Sequence, residues 1–157
     1  MPRRKYKVRL VQPDLVYNSL IVGKLINLIM RGGKKNVAQQ IVYQSLDNLK
    51  AKKIDPKEAL DKIIENIGPR MIVKPRRIGG ASYMVPKEIT PKHRIFLALK
   101  WLIEAAQGRS NKEYHTFVEK LTAEFLDAYE QKGTAVEKKL QTHKLAEANK
   151  VFAHFSW

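Results

Sequence analysis

The stretch Met71 to Arg94, MIVKPRRIGGASYMVPKEITPKHR, restricts the fold more than any other part of this 157-residue chain. Val73, Ile78, Tyr83, Val85 and Ile89 favour a pleated strand, and the paired glycines Gly79 and Gly80 supply the positive φ angles that a tight hairpin turn demands. The stretch therefore reads as a β-hairpin over residues 71–90. Pro75 and Pro86 each remove a backbone donor, which keeps both runs out of the middle of a wide sheet, and no other segment has the pattern of a partner strand. The expectation is a two-stranded ribbon standing alone, although such a ribbon is marginal in water. Lys74, Arg76, Arg77, Lys87, Lys92 and Arg94 also repel one another along it. Something anionic should meet it.

The whole chain shares this imbalance. Thirty Lys and Arg stand against fifteen Asp and Glu, a net charge of +15. A charge of that size implies self-repulsion unless a polyanion neutralises it, with nucleic acid the first candidate and a membrane surface the second. No run approaches the roughly eighteen apolar residues of a membrane span, and the N-terminus lacks the apolar stretch of a secretory signal. A soluble, unsecreted protein without membrane contact is expected. Cysteine is absent, which rules out disulfides, thiolate nucleophiles and thiolate zinc sites. With 44% hydrophobic residues the chain suits one domain, 1–157, with a packed core.

Around the hairpin the pattern is helical. Residues 1–13 carry Arg3, Arg4, Lys5, Lys7 and Arg9 without an acid and read as an extended basic arm that orders on phosphates. Ser19 to Met30 is apolar nearly all round, the mark of a buried core helix. Gly32-Gly33 stops it, and a second helix follows whose packing face holds Val37, Ala38, Ile41, Val42, Ser45, Leu46 and Leu49. Asp55-Pro56-Lys57-Glu58 is a helix start, with Ala59, Leu60, Ile63, Ile64 and Ile67 as its stripe. Gly68-Pro69 ends that helix. After the hairpin, Thr90-Pro91 opens a fourth helix facing inward through Ile95, Ala98, Leu99, Leu102 and Ala106, and Gly108 closes it. Ser110 to Glu113 and Thr134 to Glu137 both match the capping-box spacing, giving helices over about 111–131 and 135–151. The fold class is therefore mainly α: a six-helix, bundle-like domain with a protruding hairpin arm between helices 3 and 4. Phe152, Phe155 and Trp157, in the C-terminal helix and tail (135–157), should fold onto the body or a neighbour.

Catalytic chemistry finds no footing in these residues. His93, His115, His143 and His154 lack the spacing of a helical metal pair, and no carboxylates cluster with them. No metal or cofactor is expected. Gly32-Gly33-Lys34-Lys35 has neither the leading glycine nor the hydroxyl of a phosphate loop, and it follows a helix rather than a strand. It reads instead either as a plain glycine stop with solvated lysines or as a helix N-terminus where amides, dipole and ammonium groups favour a phosphate. Lys92, His93, Arg94 and Lys100 extend the basic surface along helix 4, while Trp101 on that helix fits the core better than a base. At the ribbon tip Gly79 and Gly80 permit close backbone approach, and Tyr83 is placed to stack on an unpaired base. Lys138, Lys139, His143, Lys144 and Lys150 give the last helix a charged face, diluted by Glu137 and Glu147.

Several blocks together resemble a known family. Pro2-Arg3-Arg4, Gly33-Lys34-Lys35 with Ile41-Val42-Tyr43, Val73-Lys74 with Arg76-Arg77-Ile78-Gly79-Gly80, Tyr83, Val85-Pro86 and Glu88 recur in order, followed by His143 to Lys150 with Phe152-Ala153-His154. The chain resembles, over its whole length, the bacterial-type small-subunit ribosomal protein S-seven family. The resemblance implies a non-enzymatic protein that binds the three-prime major domain of small-subunit ribosomal RNA and nucleates assembly of the subunit head. It also implies a place near exit-site tRNA and mRNA, with the proteins S-nine and S-eleven as neighbours and no homo-oligomer, in a bacterial cytoplasmic or an organellar ribosome. RNA contacts would fall to Arg3, Arg4, Lys34, Lys35, Lys74, Arg76, Arg77 and Arg94, with Lys138, Lys139 and Lys144 on the last helix. The chain departs from the family pattern at Gln107-Gly108-Arg109-Ser110, where a basic run is usual, and at Ser156, where arginine is common. Pro75 and Met84 also stand where small or polar residues are usual.

Two other classes fit the charge alone. A basic ribbon carrying proline could bend DNA by wedging base steps in the minor groove. A helical scaffold for acidic proteins would use the charge for steering.

Overall fold

The computed structural model describes residues 12–155. Six α-helices and a hairpin follow in chain order: α1 (Leu20–Ile29), α2 (Lys35–Ala51), α3 (Pro56–Ile67), β1 (Met71–Ile78), β2 (Ala81–Glu88), α4 (Pro91–Gly108), α5 (Phe117–Tyr129) and α6 (Thr134–Ala148). A 3-10 helix, Lys150–Phe155, ends the described chain. The architecture is the mainly helical one that the sequence implies, with the hairpin between α3 and α4.

The strands pair antiparallel from Met71 opposite Glu88 to Ile78 opposite Ala81. Gly79 and Gly80 sit at φ +57° and +89°. Two left-handed residues in a two-residue loop match the right-handed twist of the strands. A Cβ at either position would meet nothing within 4 Å, so the backbone conformation, not crowding, calls for glycine here.

The core forms where the helical stripes meet. In α3, Asp55 accepts a hydrogen bond from the Lys57 amide at 3.0 Å and Pro56 occupies the first helical position. Ala59, Leu60, Ile63, Ile64 and Ile67 are then buried as one face. In α2, Ala38, Val42, Ser45, Leu46 and Leu49 are buried, while the Ser45 hydroxyl donates to Ile41 O at 2.8 Å and so enters the core satisfied. From α4 come Ala98, Leu99, Leu102 and Ala106, joined by Trp101. Helix α5 packs against α2, α3 and α4 and brings Leu121, Phe125 and Ala128 to their common centre.

Two burial expectations need correction. Helix α1 is not enclosed nearly all round: Val22, Leu25 and Ile26 are fully buried, but Leu20 is 53% exposed, because at 3.6 residues per turn it lies on the side opposite those three. Val37 likewise stands at 52% exposure in the first turn of α2, beyond the reach of the packing face.

Both late helix starts also differ from their sequence signals. The capping box lies at Thr116 and Glu119, not at Ser110 and Glu113: Thr116 Oγ1 accepts from the Glu119 amide, and Glu119 Oε2 from the Thr116 amide. Ser110 instead accepts from the Lys112 amide within the preceding turn. Helix α6 begins after Gly133, at φ +92°, and Thr134 makes no capping bond. It ends at Ala148, where the chain tightens into the 3-10 helix.

The connection between α4 and α5 is held by a part-buried ionic cluster. Arg109, 18% exposed at its side chain, donates Nε and Nη2 to Glu124 Oε2 at 2.9 and 2.6 Å and also pairs with Asp127. Glu124 is 1% exposed, and its other oxygen has no donor among the described residues. Lys120, itself buried, donates to Arg109 O at 2.6 Å and fixes the turn from below. Substituting Arg109→Leu strands the Glu124 charge, so a loss of about 3–5 kcal/mol is expected. Urea denaturation should report it as a lowered midpoint with an unchanged slope.

Candidate nucleic-acid interface

The ribbon is rooted where α3 ends. The last carbonyls of a helix lack partners and carry the negative end of its dipole, so cations collect there. Arg94 of α4 donates Nε to Gly68 O at 3.2 Å, and Lys139 of α6 donates Nζ to Glu65 O and Asn66 O at 3.0 and 2.8 Å. Gly68 lets the arginine lie flat on the chain, since a Cβ there would stand 2.6 Å from Ile64 O and 2.9 Å from Arg94 Nε. Burial, reinforced by Arg94 and Arg70 nearby, lowers the Lys139 pKa. Two steps on, the Arg70 amide donates to His143 Nε2 of α6 at 3.0 Å, and the Ile89 amide donates to Arg70 O at 3.2 Å. Helices α3, α4 and α6 are thus tied together at the base of the arm.

Above its root the ribbon has two unlike faces. Opposed residues of an antiparallel pair share a face, and alternation puts their neighbours on the other. Arg76 faces Tyr83 and Lys74 faces Val85 on one side; Pro75 faces Met84 and Arg77 faces Ser82 on the other. The first face meets the C-terminal 3-10 helix, which packs on β2, although Lys74 on it stays exposed, and α6 packs on β1. Val85 is buried, Tyr83 meets the rings of Phe152 and Phe155 at 5.3 and 5.6 Å, and Arg76 Nη1 donates to Phe155 O at 3.1 Å. The expectation of an unsupported ribbon is therefore corrected in this respect. Tyr83, read from the sequence as a base-stacking side chain, spends its ring on the protein's own tail, because its aromatic partners lie about seventy residues away in sequence and come back over the arm.

The remaining sequence-derived cations divide by environment. Lys74, Arg77, Lys87, Lys92 and Lys144 are exposed, as are Lys34 and Lys35 at the start of α2. That helix has Lys34 as its cap without a side-chain bond, following Gly32 and Gly33 at φ +57° and +75°. The Lys34 and Lys35 amides donate to Arg31 O and Gly33 O at 3.1 and 2.8 Å, and no side chain caps the turn that follows. Lys138 pairs with Glu104 at 2.5 Å and approaches the Trp101 ring, so its charge is partly spent within the protein, and Glu104 is held below the usual carboxylate range by that lysine. Trp101 is 8% exposed and belongs to the core. Arg3, Arg4, Lys5, Lys7 and Arg9 lie outside the described residues.

Sequence patterns missed three anchors. His143 sits on a face otherwise marked only by charge, and its contact to Arg70 crosses 73 residues. Asp14 organises the turn before α1: it accepts from the Val16 and Tyr17 amides at 3.1 Å and from Tyr43 OH at 2.7 Å. Burial first, then the bond to Asp14, pushes the Tyr43 pKa up to about 12. Arg109, which the sequence offers as a remnant of a basic run, is committed to carboxylates. Among the described residues no group of three or more His, Cys, Asp or Glu is placed to hold a metal, and no helix is long and apolar enough to cross a membrane.

A family model described as Ribosomal protein S7p/S5e matches residues 1–150. The chain belongs to that family. It is 49% identical to the small ribosomal subunit protein uS7 of Sulfurihydrogenibium sp. (strain YO3AOP1), over 100% of both chains. The uS7 proteins of Hydrogenobaculum sp. (strain Y04AAS1) and Thermosipho africanus (strain TCF52B) are similar at 49% and 46% identity, again over the full length of each.

The histidine at the arm's root gives this family member a pH dependence. His143 accepts a hydrogen bond only as the neutral imidazole, and burial, with Lys139 beside it, lowers its pKa below the ordinary value. Its contribution is therefore complete above about pH 6.5 and is lost as pH falls from there through the lowered folded pKa. Amide exchange at Arg70 and along β1 should accelerate on acidification through that window, and the His143→Phe variant should lose the dependence.

Proposed function

We propose that the chain is a structural constituent of the small ribosomal subunit that binds ribosomal RNA directly, in a bacterial cytoplasmic ribosome. The observation that carries this reading is the family match over residues 1–150, in a chain that leaves a cationic ribbon and a cationic α2 start exposed to solvent. The finer reading follows the same line. The protein binds the three-prime major domain of small-subunit ribosomal RNA, nucleates assembly of the subunit head, and lies near exit-site tRNA and mRNA with S-nine and S-eleven as neighbours.

The mechanism is electrostatic and architectural. Lys34, Lys35, Lys74, Arg77, Lys87 and Lys92 each stand free to neutralise a phosphate, and each such contact releases a counterion. Arg94 and Lys139 act one step removed by fixing the angle at which the arm leaves the body. The helical core keeps these charges apart until RNA supplies the opposing charge, so recognition depends on the shape of a folded RNA more than on base sequence.

With about six phosphates neutralised, affinity for a transcript of the three-prime major domain should fall by roughly three decades between 50 and 200 mM salt. Filter binding across that range measures the slope. Affinity nearly independent of salt, or an equal preference for duplex DNA at the same salt, would refute the reading.

A further inference from the structure

The two faces of the ribbon carry different chemistry, and on one of them the outer half, from Pro75 and Met84 to Arg77 and Ser82, is open. On the face turned away from the C-terminal 3-10 helix, Pro75 stands opposite Met84 by register, with Arg77 and Ser82 beyond them toward the tip and Val73 and the buried Pro86 below them toward the root. Met84 is 51% exposed and Met71 37%, and Pro75, directly opposite Met84, is exposed too. A paired proline and methionine midway along the arm leave apolar surface in water. Of the exposed charges on the strands, Arg77 shares this face next to the pair, Lys74 and Lys87 lie on the other face, and Glu88, opposite Met71 at the root, is the one acid. Apolar surface beside an arginine is complementary to the face of a base or ribose whose flanking phosphate reaches the guanidinium. It is a poor match for a basic protein surface.

Resting on the RNA-binding reading above, we propose that the Pro75–Met84 pair is a nucleic-acid contact. In this contact the two side chains pack against an unstacked base or ribose of the RNA while Arg77 holds an adjacent phosphate. The opposite face does not share in it. Arg76 and Tyr83 hold the C-terminal 3-10 helix against the ribbon, which stiffens the arm and turns the apolar strip outward. Proline suits this task because its fixed φ costs little further entropy on binding, and methionine because its flexible thioether adapts to an irregular partner.

The proposal separates two kinds of energy in one measurement. An apolar contact adds affinity without releasing counterions, whereas a phosphate contact contributes to the salt slope. Full-length protein is titrated with the three-prime major domain transcript over a salt series. Met84→Ala should weaken binding about tenfold at every salt concentration, as expected for losing the burial of one such side chain, with the slope unchanged. Arg77→Gln should lower the magnitude of the slope by about one. Tyr83→Leu, which keeps apolar packing on Phe152 and Phe155 but removes the phenol ring, should leave affinity at the wild-type value. In methyl-labelled protein the Met84 resonance should shift on adding RNA. Wild-type binding with Met84→Ala unaltered overturns the proposal alone. So does a loss in Tyr83→Leu that matches Met84→Ala while amide exchange shows the tail still docked. Failure of the wild-type protein to bind the transcript overturns the RNA-binding reading and this contact with it.

Discussion

A hairpin of two eight-residue strands has one ladder of interstrand hydrogen bonds and is marginal by itself in water. Here it also carries four cations on its strands, Lys74, Arg76, Arg77 and Lys87, and their repulsion works against the ladder. What holds it is the junction at the C-terminus of α3. The carbonyls of Glu65, Asn66 and Gly68 draw in Lys139 and Arg94 from two other helices, and the chain leaves this knot directly into β1. The helix dipole and its unsatisfied acceptors are thus turned to a structural use, since they attract cations that would otherwise only add to the repulsion. The arm inherits a fixed direction from three helices at once.

The same junction decides how the cations are shared between folding and binding. Arginines and lysines cannot be sorted by sequence position alone. Arg76 and Arg77 are adjacent, yet strand alternation sends one to the protein's own tail and the other to solvent. Lys138 and Lys139 are adjacent on α6, and a rotation of one residue sends one to Glu104 and the other to the end of α3. In each pair the partner was fixed by the packing of distant elements before any RNA is considered. The excess charge is therefore larger than the number of side chains free to meet a phosphate.

Local chemistry was legible in the sequence wherever the signal and its consequence lie within a few residues. The Asp55-Pro56 start, the left-handed glycine pair and the stripes of α3 and α4 are of this kind. The capping boxes were less legible because the same spacing occurs at Ser110 and at Thr116, and only the second is followed at once by an apolar pair, Phe117 and Val118, that faces the body. Contacts across many residues were not legible at all. Nothing near Tyr83 points to Phe152 and Phe155, and nothing near Arg109 points to Glu124 and Asp127, fifteen and eighteen residues on. Residue type told which groups can bind an anion; the fold told which of them are still unengaged.

The acids follow a complementary logic. Glu113, Glu119, Glu124, Asp127 and Glu130 are five of the fifteen acidic residues, gathered on α5 and the residues flanking its two ends, while the ribbon strands hold only Glu88. On the α5 side the positive field is further reduced because Arg109 and Lys120 are turned inward to carboxylate and carbonyl partners. Among the described residues, exposed cations thus stand at the ribbon and the start of α2, while acids gather around α5. Charge segregation of this kind orients a partner during approach, before any short-range contact forms, and it does so with the neutralising residues also serving as the cement of the core. The buried network at Arg109 thus does two things with one set of atoms: it closes the turn between α4 and α5, and it takes a guanidinium away from the surface where it would compete with the arm.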